Sequence, residues 1–75
     1  MEFPVVVRTQ TGSRRLRTCE EAIRLIDQEV PHELRRLPRW TFARDLFEVA
    51  AHSKRKKDIT AAVRQLMQAV DNEGW

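Results

Sequence analysis

The sequence has few of the residues that usually interrupt a chain or fasten it covalently. It contains two glycines, three prolines, one cysteine and no tyrosine among 75 residues. The two glycines, Gly12 and Gly74, cannot build a glycine-rich phosphate loop, so no nucleotide cofactor is expected. The single cysteine, Cys19, cannot form an internal disulfide, whereas small secreted domains normally carry several. A reducing compartment is therefore expected.

Long apolar runs and paired metal ligands are also missing. No run approaches the roughly 20 apolar residues that cross a bilayer. The segment Met1–Pro4 lacks the basic start of a secretory signal peptide. Cys19, His32 and His52 are far apart and show no paired ligand spacing. We therefore expect a soluble cytoplasmic protein with no metal site, no other cofactor and no membrane partner.

The composition is that of a chain that folds. Hydrophobic residues make up 41% and charged residues 33% of the sequence, a globular balance. A chain of 75 residues is one domain, close to the size below which a single core rarely suffices. Self-association would bury further surface, so a homodimer is one expectation from size alone.

The N-terminal segment predicts a β-hairpin over residues 3–18. Residues 3–9 are rich in β-branched and aromatic side chains, which favour a strand, and Pro4 fits only its start or its edge. Gly12 can take the positive φ of a turn, and a short second strand around Leu16 follows. Alternation then places Phe3, Val5, Val7 and Leu16 on one face of the hairpin.

Helical spacing predicts three helices, over about residues 19–30, 39–53 and 59–72. Thr18 and Glu21 match a capping box for the first helix, and Pro31 ends it. Asp58 is the expected cap of the third helix. Leu34 and Leu37 predict one apolar turn between the first two helices. The fold class is therefore α+β, a two-stranded hairpin packed on three helices in one domain.

The end of the chain and the core are predicted from the same spacing. Gly74 fits the left-handed position after the third helix, which would turn Trp75 back toward Val70. Phe42 and Val49 are expected to widen the apolar face of the middle helix. The predicted common core consists of Ile26, Trp40, Leu46, Phe47, Val63 and Leu66 beneath Phe3, Val5 and Leu16.

Little in the sequence suggests catalysis. Cys19 lies in the first turn of a predicted helix, where the helix dipole lowers a thiol pKa. Glu20 and Glu21 oppose thiolate formation there, and a small buried cysteine is the commoner explanation. The chain is also too short to enclose much of a pocket. We expect a protein that is not an enzyme, with no catalytic and no cofactor-binding residues.

The placement of charge is more informative than the net charge of +3. Arg8, Arg15 and Arg17 are predicted on the hairpin face opposite the core, and Lys54–Lys57 form a second basic group. Both groups are candidate contacts for an anion or a nucleic acid. The plainer explanation of the second group is that its cations offset the dipole at a helix C-terminus. The candidate residues are Arg8, Arg15, Arg17, Lys54, Arg55, Lys56 and Lys57.

An open strand edge gives a second functional hypothesis. The segment Val5–Val7 is apolar, and a two-stranded hairpin leaves edges on which another strand can pair. The sequence therefore predicts a protein-interaction or self-associating accessory module, with a nucleic-acid-binding regulator as the alternative.

Several motifs resemble a family of small uncharacterised alphaproteobacterial proteins, a domain-of-unknown-function family. The similarity covers nearly the whole chain. Its elements are a valine-rich first strand, a capped helix opening Glu21-Ala22-Ile23, a proline at Pro31, an alanine-containing middle helix, and Ala61-Ala62-Val63-Arg64 in the last helix. The resemblance implies a bacterial protein and no known activity.

Overall fold

In the residues that the structure describes, an N-terminal hairpin and four helices make up the fold, which confirms the predicted α+β class. The computed structural model describes residues 5–10 and 12–75, so the predicted roles of Phe3 and Pro4 lie outside the described residues. In chain order the elements are β1 (Val5–Thr9), β2 (Gly12–Leu16), α1 (Cys19–Glu29), α2 (His32–Arg35), α3 (Pro38–Ser53) and α4 (Lys56–Glu73). The three predicted helices correspond to α1, α3 and α4, and α2 is the predicted apolar turn.

The hairpin has the predicted faces. Its strands are antiparallel, with Val5 opposite Leu16 and Thr9 opposite Gly12. Gly12 has a φ of 131°, a conformation that L side chains rarely adopt, so glycine is required at this turn. Val7 and Leu16 are buried and Val5 is half-buried on the face toward the helices.

The start of α1 is the predicted capping box. The Thr18 hydroxyl accepts a hydrogen bond from the Glu21 amide at 3.1 Å, and a Glu21 carboxylate oxygen accepts from the Thr18 amide at 3.2 Å. The same oxygen also accepts from the Arg17 amide at 2.8 Å. The helix ends before Pro31, with Val30 in an extended conformation at its C-cap, as the proline predicts.

The prediction that Asp58 caps the last helix is wrong. α4 begins at Lys56, and its N-cap is Arg55, which is extended and makes no side-chain capping bond. Asp58 is instead the third helical residue and accepts a hydrogen bond from the Ser53 hydroxyl at 2.6 Å. The helix starts early because Lys54 adopts a left-handed conformation with φ of 57°, which turns the chain within one residue of the end of α3.

The C-terminal turn confirms the role of Gly74. Gly74 is left-handed with φ of 76°, and the Trp75 amide donates to the Val70 carbonyl at 3.3 Å. The Trp75 ring lies against the ring of Trp40, with centroids 5.5 Å apart. The Trp40 indole N–H also donates to Glu73 at 3.3 Å, so this end of α4 is attached to the start of α3.

The elements form a closed ring around one hydrophobic core. α3 packs against α1 and α4, α1 contacts β2, and β1 contacts α4. The five largest fully buried side chains come from four of these elements: Trp40, Phe47, Ile26, Leu66 and Val7. In the described residues, no helix is both long and apolar enough to span a bilayer.

The predicted core composition of α3 needs a correction. Leu46 and the α4 residue Val63 are only half-buried at the edge of the core. Phe42 and Val49 are 53% and 54% exposed. The reason is that the core stripe of α3 consists of Trp40, Ala43, Phe47 and Ala50, and the helical rotation turns Phe42 and Val49 away from it.

Candidate anion and partner surface

The outward side of the hairpin combines one apolar residue with three cations. Val6 pairs with Arg15 across the strands, and Arg8 pairs with Ser13. Directly opposed residues share a face, so Val6, Arg8 and Arg15 lie on the side opposite Val7. Arg17 lies directly after the end of β2 and is exposed, as are Arg8 and Arg15. We call Val6, Arg8, Arg15 and Arg17 the hairpin outer face.

Val6 is exposed although its neighbours in β1 are not. Its exposed fraction is 57%, whereas Val7 is 1% exposed. A valine favours a strand conformation, but a polar β-branched residue such as threonine would serve the strand equally well in water. An isolated exposed valine needs no explanation by itself. Its position among three cations makes it the apolar centre of a charged surface.

The cations of the hairpin outer face have no acidic partner within the described part of the chain. The ion pairs found there join Arg14 to Glu29 and Arg44 to both Asp27 and Glu48. Arg14 is the informative comparison, because it lies next to Arg15 but on the core side of β2, opposite Val7. The fold therefore neutralises one hairpin arginine and leaves its outward neighbour uncompensated.

The second predicted group, Lys54–Lys57, is fully displayed at the turn between α3 and α4. All four side chains are exposed, and no described carboxylate lies within ion-pair distance of them. Lys54 is the C-cap of α3, where a cation interacts favourably with the helix dipole. Arg55, Lys56 and Lys57 are the N-cap and first two residues of α4, where the dipole disfavours cations. The dipole explanation therefore accounts for Lys54 only.

The two predicted groups occupy different elements. A shallow cleft is lined by Lys54, Ile59, Cys19 and Glu20, so the α3–α4 turn lies beside the start of α1. Since α1 directly follows β2, this turn and Arg17 are at the same end of the molecule.

Sequence reasoning left Arg64 out of the second group. A depression lined by Lys56, Lys57, Thr60, Ala61 and Arg64 extends the group along α4.

Cys19 is a core residue. Its side chain is 4% exposed, and burial is the main reason why its pKa is raised above the ordinary 9.0. The neighbouring Glu20 carboxylate raises the pKa further. The thiol is therefore held in the protonated form, which is a poor nucleophile.

A different surface was missed by sequence reasoning. Phe42 and Val49 are exposed on α3, seven residues apart, with half-buried Leu46 between them. A signal for it was available, because an apolar arc that includes both pairs Phe42/Val49 and Ala43/Ala50 is wider than one interface can cover.

Neither metal chemistry nor similarity to other proteins adds to this description. Within residues 5–10 and 12–75, no cluster of three or more histidine, cysteine, aspartate or glutamate residues could hold a metal ion. Comparisons with protein-family models, curated proteins and solved structures found no match. The function must therefore be argued from the surface itself.

Proposed function

We propose that this chain is a non-enzymatic protein-interaction module that binds its partner through the hairpin outer face. The observation that supports the proposal is the exposed Val6 with Arg8 and Arg15 on its face and Arg17 directly after β2; none of these arginines has an acidic partner among the described residues. The cross-strand partners of Arg8 and Arg15 are Ser13 and Val6, so the two arginines are diagonal neighbours, and their like charges repel at a cost to stability. A surface that retains this cost gains most when a partner covers it.

The surroundings of Cys19 fit a module without catalysis. The thiol is buried and its pKa is raised, so it is not poised for nucleophilic attack. A single reduced cysteine also suits the cytoplasm, which we include in the proposal. The similarity of the sequence motifs to small alphaproteobacterial proteins remains a prediction about its origin.

Photo-crosslinking tests this proposal directly. A photoreactive residue placed at position 6 should give a discrete protein adduct in cells that produce the chain, because the partner covers Val6. The same residue at exposed Gln68 on α4 is the matched control and should give none. Arg15→Glu should abolish the adduct from position 6. Absence of any adduct that depends on Arg15 would contradict the proposal.

A second candidate function is nucleic-acid binding, favoured by the cations that begin α4. Arg55, Lys56 and Lys57 are exposed at the start of α4, where the helix dipole disfavours cations. A bound phosphate would interact favourably with both the cations and the dipole. Lys56→Glu with Lys57→Glu should then weaken a mobility shift of duplex or single-stranded DNA or RNA. Arg36→Glu, at an exposed arginine outside the group, should not. No shift even at low salt would exclude this function, since phosphate contacts strengthen as salt falls.

A further inference from the structure

We propose that the partner contributes an acidic, extended segment that pairs with the edge of β1 facing away from β2 and makes the hairpin a three-stranded sheet. This inference rests on the proposed function and names the chemistry of the partner. It depends on three features of the hairpin: a strand edge without a strand partner, the side chains that flank that edge, and their charge.

The edge of β1 is available in hydrogen-bonding terms. Among the described residues the sheet has two strands, so β1 pairs there with β2 on one side only. In an antiparallel strand, alternate residues direct their N–H and C=O groups away from the existing partner. In the described part of the chain, the backbone of residues 5–8 forms no backbone hydrogen bond outside the pairing with β2. Although α4 also contacts β1, these backbone groups keep their hydrogen-bonding capacity for a third strand.

The side chains along this edge specify a sequence pattern. Val6 and Arg8 are two residues apart on β1 and point to the same outward face. A strand added beside β1 would place one side chain next to each of them. An apolar residue suits the position next to Val6, and a carboxylate suits the position next to Arg8. Arg15, behind Val6 on β2, adds positive potential to the same row. The expected segment alternates apolar and acidic residues.

The charge also distinguishes the possible occupants. A second copy of β1 would bring another Arg8 toward this edge, and like charges on neighbouring strands are destabilising. A nucleic acid supplies the negative charge but has no peptide groups with which to continue the ladder. Binding of single-stranded nucleic acid also uses exposed aromatic side chains, and β1 and β2 contain none. An acidic protein segment satisfies both the backbone and the side chains.

A peptide titration tests the inference. The probe is a fluorescent octapeptide of alternating valine and glutamate, and binding is followed by anisotropy at low salt. We expect micromolar binding that weakens about tenfold or more with glutamine in place of glutamate. A peptide N-methylated at alternate residues, with its methyl groups on the edge that pairs, should lose binding to the same extent because it cannot donate to β1.

Charge reversal provides the specificity control. Arg8→Glu should lose affinity for the valine–glutamate peptide and gain affinity for a valine–lysine peptide. Arg36→Glu, which changes net charge equally at an exposed position away from the hairpin, should change affinity less than about twofold. Thermal unfolding of both variants verifies that they fold, and the rescue by the lysine peptide cannot come from misfolding.

Three outcomes would overturn the inference. They are equal binding of the peptide and of its N-methylated form, preference for a single-stranded oligonucleotide over the peptide, and tighter binding of a peptide copied from β1. If the peptide fails while the adduct from position 6 persists, the interaction module stands and the strand pairing is wrong. If both fail, the proposed function itself is wrong.

Discussion

At the residue scale, Cys19 shows how strongly position controls reactivity. The start of a helix favours a thiolate, yet desolvation of the buried side chain and the charge of Glu20 raise the pKa of the thiol. The balance follows from where the fold places the side chain, which is buried beside Ala50 of α3 and Ile59 of α4.

This placement predicts slow alkylation of Cys19. Iodoacetamide near neutral pH should modify the native protein about tenfold or more slowly than an unstructured peptide carrying the same residues 17–21, because both burial and thiolate loss reduce the rate. The rate is measured by mass spectrometry. Unfolding in urea should restore the rate of the peptide, and a native rate equal to that of the peptide would contradict the assignment of Cys19 to the core.

Asp27 illustrates the opposite shift. Hydrogen bonds from Arg44 at 2.9 and 3.2 Å lower its pKa below the ordinary 3.8. A carboxyl whose pKa is lowered by folding stabilises the fold above its unfolded pKa, and that contribution disappears as the pH falls through the folded value. Both side chains are more than one third exposed, so the contribution is small.

Asp27→Asn tests this sign. At neutral pH the substitution should lower the free energy of unfolding by about 0.5 kcal/mol, measured by urea denaturation. As the pH falls through the lowered pKa of Asp27, the difference between the variant and the parent protein should disappear, because the native carboxyl is then protonated. Glu20→Gln serves as the control, because Glu20 is exposed and forms no ion pair with Arg14 or Arg44. A difference that persists in acid would show that Asp27 acts through packing and not through its charge.

At the element scale, the ends of the helices determine how well the sequence can be interpreted. The capping box before α1, Pro31 after it and the left-handed Gly74 after α4 are local signals, and all three are confirmed. The start of α4 was predicted at the wrong residue because a suitable cap, Asp58, is present in the sequence while the real N-cap is an arginine. The left-handed Lys54 that moves the boundary has no sequence signature.

The uncapped start of α4 predicts a stabilising substitution. Arg55→Asp should raise the free energy of unfolding by about 1 kcal/mol, because aspartate can accept from the free amides of the first turn and also suits the helix dipole. Arg55→Ala, which removes the charge without supplying a cap, should gain less. Thermal unfolding measures both. If Arg55→Asp gives no more than Arg55→Ala, Arg55 is not the N-cap.

The same limits apply to the faces of elements. Alternation in β1 and β2 predicts both hairpin faces correctly, because a strand has only two sides. On α3 the apolar arc includes more residues than the core accepts, so Phe42 and Val49 were placed inside although they are exposed. Which part of a wide arc is buried depends on the directions of α1 and α4, and these directions are not local properties of the sequence.

At the scale of the whole molecule, the ring of α3, α1, β2, β1 and α4 keeps the hairpin outer face in place. Val7 and Leu16 fasten the inner side of the hairpin to the core, and this fixes Val6, Arg8 and Arg15 outward. The candidate cations could be identified from the sequence, because charge and alternation are visible there. The fact that Arg14 is neutralised while Arg15 is not depends on Glu29 of α1 and required the structure.

The central claim is therefore that the hairpin and the helices share one cooperative core, and two adjacent valines provide its most direct test. Val7→Ala should lower the free energy of unfolding reported by the fluorescence of Trp40 and Trp75 by about 2 kcal/mol, because Val7 is buried beside the helices. Val6→Ala removes the same atoms from an exposed site and should change it by less than about 0.5 kcal/mol. If Val7→Ala and Val6→Ala give the same free energy of unfolding by tryptophan fluorescence, the hairpin is not part of the core and the account is wrong.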